Sequence, residues 1–191
     1  MERITDIRKK MADWHKMNTS YLNEIKTMVS EIKTANNLHV ISYFTYTFHI
    51  FHEKGYENLC LGSYHIRNIG QKQLTNPIIC IKISPEALFD FSGKYLYKDS
   101  KQKVQLSNAW ERLNEPTDKQ EFWLKPTHKN TLDPSETLTF SNFQVKWLPK
   151  SSYKGSIQGF TYGDELQEGM NALNQINING KIVEEEQKED E

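Results

Sequence analysis

Apolar residues near the N-terminus recur alternately three and four positions apart, the roughly 3.5-residue period of a coiled-coil seam. In this register a and d positions alternate along the helix, and the last d position is Ala35. The predicted seam consists of Ile4, Ile7, Met11, Trp14, Asn18, Tyr21, Ile25, Met28 and Ile32. The pattern predicts one heptad-patterned helix over residues 1–36. Two consecutive asparagines, Asn36 and Asn37, favour a cap or turn at its end.

Asn18 is the single polar residue at an a position of this seam. A buried Asn there finds its amide partner only when the same residue of another chain lies opposite, which fixes register and strand number. The sequence therefore predicts self-association through the helix. The alternative is a helix docked on its own β-domain, because Met17, Leu22 and Val29 widen the apolar stripe.

The rest of the chain is rich in β-branched and aromatic residues, interrupted by Gly, Pro and Asn turns. Residues 38–52 are apolar on both faces, which predicts a long strand covered on both sides or two strand halves joined by a bend. Further strands are predicted over residues 59–67, 77–83, 94–97, 102–106, 121–124, 137–147 and 156–162. This spacing predicts an antiparallel, immunoglobulin-like β-sandwich over residues 37–183 and an α+β fold class.

Two segments near the C-terminus complete this prediction. Residues 165–178 fit a short helix or an excursion that leads to a last strand over residues 176–183. The final residues, EEEQKEDE over 184–191, are too charged to bury apolar surface, so we predict a disordered acidic tail.

Charge and composition weigh against binding to nucleic acid or to a membrane. Lys plus Arg number 24 and Asp plus Glu 25, for a formal net charge of −1, so no overall positive field favours nucleic acid or anionic lipid. The basic residues of the first helix are explained by a solvated outer face; they are Arg8, Lys9, Lys10, His15 and Lys16. The N-terminus has no apolar signal region, and residues 38–51 fall short of the ~20 residues of a membrane helix. We expect a cytoplasmic protein.

Cys60 and Cys80 are the two cysteines, placed symmetrically about Gly70. If the intervening chain is a hairpin that turns at Gly70, the two thiols face each other across strands. The simpler interpretation is two buried, reduced thiols that act as small apolar side chains.

Candidate catalytic and metal-binding residues are sparse. His49, His52 and Glu53 are the nearest approach to a metal cluster, but an i, i+3 spacing places two strand residues on opposite faces. A nucleophile–base pair can be composed from Cys60 with His65 or His128, without a recognisable motif around either cysteine. We expect no enzymatic activity, no cofactor and no metal site.

Three tryptophans of the β-region offer stacking surfaces for a carbohydrate or peptide. Trp147 alternates with Phe143 and Val145 and is predicted to be core. Trp110 and Trp123 are predicted to be at the surface and form the candidate binding residues.

These patterns together predict a non-catalytic adaptor or assembly protein. The helix would join copies of the chain, and the sandwich would contact another protein. The alternative is a monomeric β-sandwich that binds a carbohydrate or peptide, with the helix docked on its own sheet.

Overall fold

A computed structural model describes residues 2–34, 37–51, 55–97, 109–149 and 152–181. The chain divides into two compact units, Met1–Asn37 and Leu38–Glu191. No helix in these described ranges combines the length and the apolar character needed to cross a membrane.

The first unit is one α-helix, α1 (Glu2–Thr34), which confirms the helix predicted from the apolar period. It contains neither Gly nor Pro, and its Lys, Glu, Met and Ile residues support a long uninterrupted helix. Thr19 and Thr27 donate hydrogen bonds from their hydroxyls to carbonyls one turn earlier, so these polar side chains are satisfied locally.

The second unit is built from strands. In chain order they are β1 (Val40–His49), β2 (Asn58–Asn68), β3 (Leu74–Thr75), β4 (Ile78–Ile83), β5 (Asp90–Ser92), β6 (Tyr95–Tyr97), β7 (Trp110–Arg112), β8 (Glu121–Pro126), β9 (Thr131–Leu132), β10 (Thr137–Trp147), β11 (Ser152–Gly163), β12 (Leu166–Asn171) and β13 (Ile176–Lys181).

These strands form two main sheets. The first sheet has the order β1-β2-β10-β5 and is antiparallel throughout. The second has the order β12-β11-β4-β8-β7-β6, with β13 also paired to β11 and one parallel pair, β6 with β7. The short β3 and β9 pair with each other. The unit is therefore a mostly antiparallel, sandwich-like β-domain, and the immunoglobulin-like class stays a prediction.

Most predicted strands are confirmed, since β2, β4, β6, β8, β10, β11 and β13 overlap the predicted runs. Residues 102–106 lie outside the described part of the chain. Sequence reasoning missed β3, β5, β7 and β9, whose two or three residues are too few to show a period, although β6, which is equally short, was predicted. It also missed β12, because Leu166–Asn171 is a mostly polar hairpin strand, neither a helix nor an irregular excursion.

The prediction for residues 38–52 was wrong in one respect. A single continuous strand runs over Val40–His49, and its side chains alternate between buried and half-buried only as far as Phe44. Residues 45–49 are exposed on both faces. The sequence predicted cover on both sides because this segment is apolar on both faces. In the structure the second half of the strand is exposed to solvent.

A bulge in β10 explains why its apolar alternation is only partial. The register with β2 shifts between Phe140 and Phe143, and Asn142 adopts a left-handed backbone with φ 56°. The shift turns Phe140 and Phe143 to the same side, where both are buried. Trp147 is buried as well, which confirms its predicted place in the core.

Tyr64 joins the two sheets at the centre of the domain. Its hydroxyl donates to Ser42 Oγ in β1 and shares a second hydrogen bond with Thr161 Oγ1 in β11, each 2.9 Å long. All three side chains are fully buried. A Cβ on Gly159 would overlap the Tyr64 ring and approach the Phe44 ring to 2.8 Å, so the strands come this close only because position 159 is glycine.

Arg112 is a buried cation whose hydrogen-bond partners are all neutral oxygens. Its guanidinium donates to Asn114 Oδ1 and to the carbonyls of Glu115, Asp118 and Glu121. It also lies 4.4 Å from the centre of the Phe122 ring. These contacts fix the loop between β7 and β8.

We expect Tyr64→Phe to lower the free energy of unfolding by about 1–3 kcal/mol, because it removes two hydrogen bonds and leaves two buried hydroxyls without their partner. Urea denaturation followed by circular dichroism measures the change. Tyr162→Phe is the matched control, since no described residue accepts a hydrogen bond from that half-buried phenol, and we expect it to stay within about 0.5 kcal/mol of wild type. Equal effects from the two substitutions would contradict the role given to Tyr64.

Candidate functional site

The predicted helix seam is an exposed apolar surface. Ile7, Met11, Trp14, Tyr21, Ile25 and Met28 are between 48% and 69% exposed. Asn18 lies among them and is exposed too. Ile4 and Ile32 belong to the helix, but their side chains lie outside the described part of the chain. A seam of this size is unusual on a surface with no partner, because large apolar side chains are normally exposed singly.

The stripe is wider than a strict a/d seam. Met17 and Leu22, beside the seam, are 47% and 58% exposed. The helix also carries charge, including an ion pair between Lys10 and Asp6 at 3.6 Å. Exposed apolar side chains therefore extend beyond the strict a and d positions, and the heptad pattern stays a prediction.

Trp110 does not lie at the surface, and its assignment as a binding residue was wrong. It is 1% exposed and packs edge-on against Phe140 of the other sheet, with ring centroids 5.6 Å apart. Glu111 and Arg112, which follow it along the chain, are charged, and this suggested exposure. In β7, however, alternate residues face the core, and Trp110 shares that inward face with Arg112.

Trp123 is half-buried on the face of its sheet that also carries Lys82 and Glu121. Its indole Nε1 donates to Glu121 Oε2 at 3.0 Å, and its ring lies 5.0 Å from that of Tyr162. Glu121 also accepts from Lys82 Nζ at 2.8 Å, and these two hydrogen bonds, Lys82 first, lower the pKa of its carboxyl. The neighbouring Phe122 and Leu124 are buried, so the aromatic pair at positions 123 and 162 is the partly open one.

The candidate metal and catalytic residues do not converge. His49 is exposed at the end of β1, and its proposed partners His52 and Glu53 lie outside the described ranges. Cys60 and His65 are five positions apart on β2, so they face opposite sides of the sheet. Within the described residues, no group of three or more His, Cys, Asp or Glu side chains is placed to hold a metal ion.

His65 has a structural environment. Its ring is stacked on Tyr43 with centroids 5.0 Å apart, and its nitrogens lie 2.9 Å from Thr45 Oγ1 and 3.0 Å from Thr139 Oγ1. Burial lowers its pKa, since desolvation disfavours the charged ring. It links three neighbouring strands of the first sheet, and His128 is exposed elsewhere.

The two cysteines do not face each other across a hairpin, so that prediction was wrong. Cys60 lies opposite Phe48 and Val145 in the first sheet, whereas Cys80 lies opposite Trp123 and Phe160 in the second. Both are free and buried, as the simpler interpretation predicted. Burial raises the pKa of each thiol to about 12, which disfavours the reactive thiolate.

The second half of β1 is a surface that sequence reasoning missed. β1 is the edge strand of its sheet, and its side chains from Thr45 to His49 are all exposed. Tyr46 and Phe48 lie with their ring centroids 5.2 Å apart. Below, the segment Thr45–His49 is called the open edge. Its only sequence signal is an uncharged, aromatic and threonine-rich run.

The sequence matches no protein-family model and no curated protein. Among solved structures the chain is similar to the cohesin module from Clostridium perfringens ATCC13124 family 33 glycoside hydrolase. The two are 12% identical, the match covers 77% of this chain and 100% of that chain, and the TM-score is 0.40. A likeness this weak carries no argument about fold or function.

We expect both thiols to resist a thiol reagent such as Ellman's reagent at pH 8 while the protein is folded, and to react at once in urea. A pKa near 12 in place of the usual value of about 8.5 lowers the thiolate fraction at pH 8 by a factor of about 2,000. Absorbance of the released thionitrobenzoate measures both rates. A Cys60→Ala chain is the control that assigns the signal to Cys80, and a thiol that reacts in the folded protein at the rate of free cysteine would contradict its burial.

Proposed function

We propose that this chain is a non-catalytic assembly or adaptor protein whose N-terminal helix joins copies of the chain. The observation that carries the proposal is the exposed seam, in which every described apolar a and d side chain from Ile7 to Met28 is about half or more exposed. Burial of such side chains stabilises an association by roughly 1.5–3 kcal/mol for each one fully removed from water.

Asn18 favours a second copy of the helix, and not the chain's own β-sheet, as the partner that packs on the seam. An exposed Asn between Trp14 and Tyr21 is unfavourable in an interface with an apolar sheet, because its amide would be buried without a partner. Opposite the Asn18 of another copy, each amide both donates and accepts. A self-complementary seam of this kind requires no residue from any other protein.

The β-domain supplies the contact with a further protein in this proposal. A helix that joins copies also joins their β-domains, so weak sites on each act together and raise the apparent affinity without new contacts. The exposed apolar side chains around the β1–β2 connection, Ile50, Phe51 and Tyr56, offer such a site. Aromatic residues at the surface are enriched in protein interfaces.

We expect Ile25→Asp to dissociate the oligomer and Asn18→Leu to change the number of copies or their register. The aspartate would place a charge in the seam, and the leucine would remove the polar pairing that specifies it. Light scattering across a concentration series gives the mass in solution, and circular dichroism shows whether each variant is folded.

Asn23→Asp is the matched control, because it adds a charge at an exposed position outside the seam; the oligomer should keep its mass. If Ile25→Asp left the mass unchanged in a folded protein, the helix would not be the assembly device. A loss of β-domain stability without a change of mass would instead support the docked helix.

A second candidate function is ligand binding at Trp123, favoured by its half-buried ring beside Tyr162. Aromatic faces of this kind stack on sugar rings or peptide planes.

If Trp123 is such a platform, addition of soluble oligosaccharides or short peptides should change the tryptophan fluorescence by direct contact with its ring. Trp123→Phe should abolish the response, and Trp14→Phe, the control at an exposed tryptophan of the helix, should retain it. A flat titration with every member of the panel would remove this candidate.

A further inference from the structure

The outer edge of β1 is covered over its first half by the turn that precedes β13. Leu173 N donates to Ser42 O at 2.7 Å. The side-chain amide of Asn174 then imitates a neighbouring strand at Phe44, because it accepts from Phe44 N at 2.8 Å and donates to Phe44 O at 3.0 Å. Ser42 and Phe44 therefore point their backbone groups away from β2.

The same alternation continues beyond this cover. Every second residue of an antiparallel strand points its N–H and C=O to the same side, so Tyr46 and Phe48 also point theirs to the outer edge. No residue of the described ranges bonds to these groups. The open edge thus combines unpaired backbone with two exposed aromatic rings.

The open edge also lacks the features that protect edge strands. Residues 45–49 contain no Lys, no Pro and no other fully charged side chain, and their register with β2 is unbroken. A flat, uncharged and partly apolar edge is a template for another strand. Its two exposed aromatic rings and its outward backbone groups belong to the same two residues.

We propose that the open edge pairs with the open edge of a second copy of this chain, antiparallel and centred on Thr47. In this arrangement Tyr46 lies opposite Phe48 of the other copy and Phe48 opposite its Tyr46. These are the residues with outward backbone groups, so each of the two pairs exchanges both of its N–H···O bonds. The segment is self-complementary, because its aromatic residues stand symmetrically about Thr47.

The length of the open edge fits this pairing. With Thr47 at the centre, His49 of the second copy lies opposite Thr45, and β1 ends at that residue. The next position, Phe44, is already occupied by Asn174. The second strand therefore ends where the cover begins, and no other two-fold register pairs all five residues.

The pairing is independent of the helix seam and goes beyond the proposed assembly function. Five paired residues bury far less than the roughly 800 Å² per partner of a standard interface, so the contact is weak when it acts alone. Any other association of the chain raises the effective concentration of the edges and strengthens the contact.

Charge substitution at Thr47 tests the proposal. Its side chain is exposed, and in the paired state it lies directly opposite the Thr47 of the second copy, with Cβ atoms roughly 5 Å apart. Thr47→Lys and Thr47→Glu should each prevent pairing by repulsion between like charges, whereas an equal mixture of the two should restore it. Amide hydrogen exchange at Tyr46 and Phe48, measured by NMR on the full chain, reports the pairing directly.

For the wild type, exchange at these two amides should slow with increasing protein concentration, about tenfold once about nine-tenths of the edges are paired, because only unpaired chains exchange. The slowing should vanish in each single variant and return in the mixture. Thr137→Glu, an exposed threonine on the interior strand β10, is the matched control and should behave as wild type.

Persistence of slow exchange in Thr47→Lys, or no recovery in the mixture, would overturn the proposal; so would protection that appears only with an added partner protein. The Ile25→Asp background separates this test from that of the helix. In that variant the slow exchange at Tyr46 and Phe48 should persist at higher protein concentration, even though the helix-mediated oligomer is lost. If the helix proposal is wrong, the effect of the Thr47 substitutions on this exchange is unaffected.

Discussion

The closeness of Tyr64 to Gly159 is the constraint on which the arrangement of the β-domain depends. Without a side chain at position 159, β11 approaches the first sheet until the Tyr64 hydroxyl reaches Thr161. Gly159 O then accepts from Ala172 N, and the turn that follows reaches the edge of β1. The cover over Ser42 and Phe44 is thus a consequence of the same close approach, and the open edge begins where that cover ends.

Much of this fold could be predicted from periodicity, but only where an element is long enough to show one. The helix and the long strands β2 and β11 show theirs, and β10 shows a partial one that its bulge interrupts, whereas β5 and β7 are three residues each. Trp110 was predicted at the surface for this reason, because the other two residues of its short strand are charged. Arg112 can share the buried face of that strand only because its guanidinium donates to carbonyls of a loop. Sequence gives no sign of such carbonyl partners.

The open edge shows a different limit of sequence reasoning. A strand with apolar residues on both faces indicates cover on both sides when it lies inside a sheet, and a site for association when it lies at an edge. Strand order decides between the two, and here it depends on long-range pairings such as β2 with β10. The helix itself, by contrast, could be predicted from the spacing of its apolar residues, because a helix forms within one segment and needs no strand order to define it.

The two proposed contacts differ in physical character, and this difference decides which of them forms first as the protein concentration rises. The helix seam is long and apolar, so its strength grows with the area removed from water. The open edge is short and depends on backbone hydrogen bonds, each of which contributes little net free energy because water competes for the same groups. If both contacts form as proposed, helix association dominates at low concentration, and edge pairing follows once copies are held together.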